Sequence, residues 1–512
     1  MNTSVRAGLS GVAAAAAALG AAELVAVLTG PASSPLFAVG SVVVDTVPAP
    51  VKDFGIAVFG THDKTALLTG TAVLLGVYAW LVGLLAARSW RLGLGGIALF
   101  GLIGVAAAVT RHDAGVAAAL PSVVGALVAA AVLRFLLGPV PAGTAEGAPI
   151  GGPDDGSYSE KSRRRFLRSV TGVVGLAAVG GVAGRLLTGR RSVSAARAEV
   201  ALPVATSPAP AVPADAQAPG AVAYVTSDDD FYRIDTALFP PQVDPATWRL
   251  RIHGMVRNPL TLTFDDLLRR PMLERYVTLA CVSNEVGGDL IGNARWLGTP
   301  VKELLDLAGP LPDADQVVQR SADGWTCGTP TAALRDGRDA LLAVGMNGKP
   351  LPVKHGFPVR MVVPGLYGYV SACKWITEIE LTRFADFDAY WVPRGWAATA
   401  PIKTQSRIDT PRDGATRPAG TVVVAGVAWA QHTGIAKVEV QVDGGPWQPA
   451  TLAGTVSSDT WRQWTFRWAA TPGRHTIRVR ATDLSGYTQT STPAPPAPDG
   501  ATGWHGIDVS IE

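Results

Sequence analysis

Five apolar runs, at residues 7–29, 65–87, 92–110, 115–137 and 170–188, fill most of the first 190 residues and constrain what this chain can fold into. A bilayer core about 30 Å thick takes roughly 20 apolar residues as a helix. Inside it, each backbone N–H and C=O must find a partner within the protein, and a helix satisfies them segment by segment. Each run is therefore expected to cross a membrane as a helix, four of them within residues 1–140 and the fifth as a separate anchor over 170–188. The stretch 35–60 is also apolar, but Asp45, Pro48, Pro50, Lys52 and Asp53 interrupt it. It is expected as an interfacial or re-entrant loop rather than a sixth crossing.

The loops carry the orienting charge. Arg88 and Arg91, and then the cluster from Lys161 to Arg168, mark cytoplasmic segments by the positive-inside tendency, so five crossings place the rest of the chain on the opposite face. Arg185, Arg190, Arg191 and Arg197 run against this assignment, although long domains translocate largely regardless of flanking charge. Within the cytoplasmic linker 141–169, Ser162-Arg163-Arg164-Arg165-Phe166-Leu167-Arg168 directly precedes the fifth run and resembles a twin-arginine export signal. The plainer reading is a basic anchor at the cytoplasmic end of a helix. Glu23 lies inside the first run and is expected near its outer end, in reach of interfacial water. His62 and His112 fall close to span ends, and C-x-x-C-H is missing, so no haem is expected.

Beyond about residue 189 the composition changes. Residues 189–222, with Pro203, Pro208, Pro210, Pro213 and Pro219, read as an extended Ala/Pro-rich linker. Residues 223–398 alternate strand and helix signals: the run Trp248–Val256 meets the turn Asn258-Pro259, Thr263 caps a short helix, and Phe357–Val363 reads as a strand. This is an α+β domain. From 399 to 512 the strands Thr421–Val427, Ala436–Val442, Trp461–Trp468 and Thr476–Ala481 follow one another without helices, the spacing of an immunoglobulin-like β-sandwich, with Trp447, Trp461, Trp464 and Trp468 as core or interface aromatics. A formal net charge of +3, with no basic patch interleaved with aromatics, excludes nucleic acid as a partner.

Three cysteines, Cys281, Cys327 and Cys373, stand far apart with no C-x-x-C. Zinc and iron–sulfur sites ask for several sulfur or imidazole ligands at close spacing. A metal held by Cys281 would have to take most of its ligands from elsewhere, and a cofactor that brings its own sulfur ligands would meet that requirement.

Four separated stretches carry a resemblance: Tyr232-Arg233-Ile234-Asp235-Thr236, the segment from Cys281 to Gly298, Met346–Arg360 with its Lys354-His355-Gly356-Phe357-Pro358-Val359-Arg360, and Pro364–Trp375. Together they resemble the sulfite oxidase family of molybdenum enzymes, and the C-terminal sandwich is similar to that family's dimerisation domain. The resemblance implies a mononuclear molybdenum on the dithiolene of one molybdopterin, with Cys281 as the single protein ligand. It also implies that His355, Arg360 and Lys374 bind the pterin and its phosphate, with Tyr232 and Arg233 lining the cleft and Ser371 in the same set. Asp323 either contacts the pterin or holds a turn. Arg233, Arg295 and Arg394 are candidate cations for an oxyanion substrate. The implied reaction is a two-electron oxygen-atom transfer on a small substrate, with electrons leaving to a cytochrome, a quinone or a redox subunit. The family is similar in having arginine just after Cys-x-x-Asn, where this chain has Glu285 and Val286, so sulfite is one option among several. Cys327 and Cys373 either pair outside the cytoplasm or stand as two buried thiols. The competing reading is a membrane-tethered binding or assembly protein on the same fold, which would have no need for Cys281 together with His355, Arg360 and Lys374.

Overall fold

The computed structural model describes residues 2–30, 33–47, 63–110, 115–138, 155–190, 193–237 and 239–512. These form two compact units, one of residues 1–192 with 236–239, the other of 193–235 with 240–512.

The first unit is helical: α1 (Thr3–Thr29), α2 (Pro35–Thr46), α3 (Asp63–Arg88), α4 (Trp90–Val109), α5 (Leu120–Leu137) and α6 (Asp155–Arg190). Five segments are long and apolar enough to cross a membrane, Thr3–Thr29, Thr69–Arg88, Trp90–Val109, Val116–Leu137 and Arg163–Gly184. They coincide with the five runs read from the sequence. The loop expected over 35–60 is helical in its first part, and α2, with 12 residues and a length of about 18 Å, is too short to span. Residues 48–60, His62 and His112 lie outside the described residues. Helix α6 begins at Asp155, so the later part of the expected linker 141–169 is helical, and Arg163, Arg164 and Arg165 sit on its exposed side one turn before the apolar stretch.

Small residues let these helices approach closely, since without a side chain in the way one backbone packs directly on the next. A Cβ added at Gly11 would stand 2.0 Å from the Ala79 carbonyl oxygen, one at Gly83 2.2 Å from that of Ala7, and one at Gly20 2.6 Å from that of Ala177. Helix α1 is thereby fitted against both α3 and α6. Glu23 accepts a hydrogen bond of 2.6 Å from the Ser34 hydroxyl ahead of α2, so its carboxyl has a protein partner as well as its place near the helix end.

The second unit contains strands β1 (Arg249–Gly254), β2 (Leu260–Thr263), β3 (Leu273–Ala280), β4 (Ile291–Pro300), β5 (Gln316–Ser321), β6 (Thr326–Pro330), β7 (Leu341–Met346), β8 (Lys349–Pro350), β9 (Arg360–Val362) and β10 (Ile376–Thr382). They make a mixed sheet, β2-β1-β10-β5-β6, in which β1 and β10 run parallel, and an antiparallel sheet, β3-β4-β7-β8 with β9 beside β7. The strand expected over Phe357–Val363 is confined to Arg360–Val362. Pro358 has no N–H for a ladder, and the turn Val353–His355 leads into it.

The sandwich follows as β11 (Gln405–Thr410), β12 (Thr416–Arg417), β13 (Gly420–Trp429), β14 (Ile435–Val442), β15 (Gln448–Pro449), β16 (Thr451–Leu452), β17 (Arg462–Ala470), β18 (Gly473–Asp483) and β19 (His505–Ile511). One sheet runs β11-β13-β17-β16 and the other β12-β19-β18-β14-β15. Alternation along β17 puts Trp464 and Trp468 into the sandwich core, whereas Trp461 joins the core of the preceding domain.

Of the segment expected as a free linker over 189–222, residues 193–222 are instead laid along this unit. Thr206 N–H donates to the Met272 carbonyl at 2.8 Å, Glu274 N–H to Ser207 at 2.9 Å, and Ala218 N–H to the Gln463 side chain at 2.6 Å. Prolines remove donors from this segment, and several of the amides that remain reach residues beside β3 and in the sandwich. Ala216 and Ala218 are buried there.

Candidate active site

Cys281 stands directly after β3, where the β3–β4 pairing ends at Ala280 opposite Ile291. Its N–H donates to the Leu290 carbonyl at 2.9 Å, closing the loop between the strands. The thiol is buried, and burial raises its pKa above the usual value, while hydrogen bonds from Ser283 and the nearby Lys374 cation act in the opposite sense. Metal coordination would overturn that balance, because a coordinating thiol is deprotonated outright.

Around it stand the residues from the other three stretches. The Tyr232 hydroxyl reaches within 3.8 Å of where a Cβ on Gly368 would lie, and the Ala280 carbonyl within 3.7 Å of the same point. Tyr232 stacks on Phe231 with centroids 5.3 Å apart, and burial, the Cys281 sulfur and Arg360 shift its phenol, on balance upward. Arg233 forms a two-point ion pair with Asp235, at 2.9 and 3.2 Å, and the Lys374 ammonium shares the same carboxylate. Burial lowers the Lys374 pKa to about 8 against the pull of Asp235.

His355 is 1% exposed, and its Nε2 lies 2.9 Å from the Asp228 carbonyl oxygen. Burial, with Arg360, Lys374 and Lys354 nearby, lowers its pKa to about 3, which keeps the imidazole neutral. Gly356, at φ +112°, turns the chain directly after it. A Cβ there would meet Arg360 Cβ at 3.0 Å and Lys374 Cβ at 3.2 Å, so glycine brings both cations close to His355. Arg360 is 5% exposed; it donates to the His355 and Met361 carbonyls and lies over the Trp296 ring at 5.0 Å.

Neutral His355 makes stability pH-dependent. Below pH 6.5 the unfolded imidazole takes up a proton that the folded one refuses until about pH 3, so stability present above 6.5 is lost as pH falls through that window. In the cofactor-free chain, His355→Gln is expected to reduce the stability lost between pH 7 and 4.5 by about 2–3 kcal/mol, since each tenfold difference in proton affinity between the folded and unfolded imidazole is worth about 1.4 kcal/mol. Urea midpoints at the two pH values check this, and an unchanged difference would contradict a neutral buried imidazole.

Several expected site residues are placed differently. Arg295 lies four residues along β4 from Ile291, about 13 Å at strand rise, and pairs with Glu274 at 3.3 Å. The structure does not bring it to Cys281. Ser371 is fully buried and its hydroxyl donates to the Leu366 and Tyr367 carbonyls, so it braces the Pro364–Trp375 loop from within. Asp323 accepts from the Trp325 N–H at 3.2 Å, the turn-holding arrangement. The Arg394 guanidinium lies 3.7 Å over the Tyr390 ring. Cys327 and Cys373 are free, buried thiols rather than a disulfide. Sequence reasoning gave no role to Asp235, Asp228 or Trp296. Asp235 stood inside a quoted motif, but its ion pair with Lys374 spans 139 residues and leaves no local signal.

Residues 237–391 match the family model of the oxidoreductase molybdopterin binding domain, and residues 405–479 match the bacterial Ig domain. The chain is 31% identical over 163 residues to the uncharacterized oxidoreductase YuiH of Bacillus subtilis (strain 168), covering 32% of this chain and 79% of that protein. This chain belongs to the sulfite oxidase family of molybdopterin-dependent oxidoreductases. Mitochondrial sulfite oxidase of Homo sapiens is 31% identical over 321 residues, 53% of this chain, and the chain spans 58% of the length of that relative. The crystal structure of the sulfane dehydrogenase SoxCD from Paracoccus pantotrophus shares the fold, with a TM-score of 0.50 and 22% identity over 57% of this chain and 84% of that one.

The family's cofactor is a molybdenum-bearing molybdopterin, and the residues present fit it. Arg360 is a buried guanidinium that makes no ion pair among the described residues, having two carbonyls and one indole face as partners. Burying a cation without an anion costs several kcal/mol. The phosphate of a bound pterin would supply that anion, and the Lys374 and Lys354 cations are near enough to act on His355 as well.

Proposed function

We propose that this chain is a membrane-anchored molybdopterin oxidoreductase that performs oxygen-atom transfer on a small oxyanion or sulfoxide at the extracytoplasmic face. The observation that carries the reading is the pairing of one buried thiol, Cys281, with a buried, uncompensated cation, Arg360, and the Lys374 ammonium. Cys281 would hold the metal, and Arg360, Lys374 and His355 the pterin and its phosphate. Arg offers a planar fork for phosphate and Lys a point charge. When bound, the cofactor supplies the two-electron chemistry. The protein fixes geometry and charge around it. Arg233, partly exposed and oriented by Asp235, would be the cation that meets an anionic substrate. Glu285 is exposed on the Cys281 loop and would disfavour a dianion at the mouth. Electrons would leave to an external cytochrome, quinone or redox subunit, and the sandwich would serve homodimerisation as in its family.

Elemental analysis of the full chain from a molybdenum-replete host is expected to give about one molybdenum per chain, the single site described above. Its absence would overturn the enzyme reading. Location is tested separately. An outward C-terminal half is what five crossings with the basic segments on the cytoplasmic side would give. Replacing Arg163 and Arg164 by Lys is expected to leave that half accessible to protease from the cytoplasmic side. Unchanged external accessibility would contradict twin-arginine export.

A further inference from the structure

The loop that carries Cys281 is held from within and from without. Within, Asn284 N–H donates to the Cys281 carbonyl at 3.1 Å, Gly288 N–H to the Glu285 carbonyl at 2.9 Å, and Leu290 N–H to the Asn284 side-chain oxygen at 2.8 Å. A Cβ on Gly288 would stand 2.6 Å from that oxygen, so glycine leaves room for the amide to fill the turn. These bonds define the shape of the loop but leave its placement against the rest of the unit to other contacts.

From without, the loop meets the sandwich. Arg407, on β11, donates to the Gly288 carbonyl at 2.8 Å across 119 residues of sequence. Its guanidinium is fixed by Asp409 at 2.6 Å, with the two side chains 9% and 7% exposed. Beside it, His505 at the start of β19 accepts from the Ile408 N–H through Nδ1 at 3.0 Å, and its ring faces the loop. A Cβ on Gly287 would lie 2.2 Å from His505 Cδ2 and 2.4 Å from Nε2, and Gly287 holds φ +80°. Glycine is therefore required there both by the contact and by the backbone.

A buried Arg–Asp pair is weak as a source of stability, since desolvation offsets most of its attraction. Its geometric effect is larger. Asp409 presents the guanidinium in one orientation, and the free edge of the fork reaches a carbonyl seven residues from the metal-ligand candidate. Side chains that orient metal ligands are worth roughly 10–100-fold in affinity or activity when removed. We propose that Arg407, oriented by Asp409 and seated beside His505, is a positioning residue for the Cys281 loop, which makes the sandwich a structural part of the metal site. The consequence for catalysis rests on the function proposed above; the holding of the loop does not.

The test uses the full chain purified from a host that cannot make the cofactor, with iodoacetamide as the probe and mass spectrometry reading Cys281, Cys327 and Cys373 separately. Cys327 and Cys373 are 0% exposed and report on the domain as a whole. In Arg407→Ala, alkylation of Cys281 is expected to rise about tenfold relative to Cys327, the effect of losing about 1.4 kcal/mol of local protection. An unchanged ratio overturns the proposal. Should all three cysteines react faster together, Arg407→Lys decides, because it keeps the charge beside Asp409 but lacks the fork. Selective exposure of Cys281 in that variant supports the proposal, and parallel exposure or none overturns it. Molybdenum missing from wild-type chain made in a replete host would refute the proposed function while leaving this result intact.

Discussion

Cys281→Ser is expected to lower oxidoreductase activity by at least ~10³-fold, about 4 kcal/mol of barrier, while the chain remains folded. The two side chains are nearly isosteric, and the site is 7% exposed, so the packing around residue 281 survives the change. The chemistry does not. A thiolate is a soft, readily ionised ligand, whereas a serine hydroxyl is harder and stays protonated in a buried site. Cys327 and Cys373 are free thiols with no exposed surface. Melting curves should agree within a few degrees, since surrounding contacts are retained. Molybdenum content and the Mo(V) resonance would report the altered ligand directly. Full activity in the serine variant would refute Cys281 as the ligand.

The parts of this protein that could be read from its sequence are those written in local pattern. Unbroken apolar runs of about 20 residues gave the five helices, because a run of that length without turn residues is far longer than a strand. The sandwich strands emerged from alternation such as that of Trp464, Phe466 and Trp468 on β17, which the structure buries on one face. His355, Arg360 and Lys374 were legible because they sit in motifs, and Gly356 explains physically why they meet. Arg295 was misplaced for the opposite reason: it is close to Cys281 in sequence, but a strand carries it away at about 3.3 Å per residue. Proline content made 189–222 look like a free tether, yet composition does not say whether a neighbouring sheet edge will capture the remaining amides. Asp235 with Lys374 and Arg407 with Gly288 bridge more than a hundred residues, and no local pattern announces such pairs.

Arg360→Met should have effects of opposite sign in the loaded and cofactor-free chains, which makes it a demanding test of how this site is built. In the cofactor-free chain the guanidinium is buried against Trp296 with carbonyl oxygens as its only hydrogen-bond partners among the described residues, and burial lowers its pKa to about 10. It remains charged at neutral pH, so the fold carries an uncompensated cation. Replacing buried charge by an apolar side chain of similar volume is often neutral or stabilising by about 1–4 kcal/mol. Methionine can fill the space over the indole, and the melting temperature of the cofactor-free variant is expected to stay level or rise. With the pterin bound, the same cation gains its anion, and truncating one partner of a buried, hydrogen-bonded charge pair costs about 2–5 kcal/mol. Molybdenum per chain should therefore fall, with cofactor affinity reduced by roughly 30-fold or more. Arg360→Lys separates charge from shape: it keeps the point charge, loses the fork, and should retain more molybdenum than the methionine variant. A methionine variant that melts lower without cofactor yet keeps its molybdenum would mean that Arg360 is a packing residue and that the anion is held elsewhere.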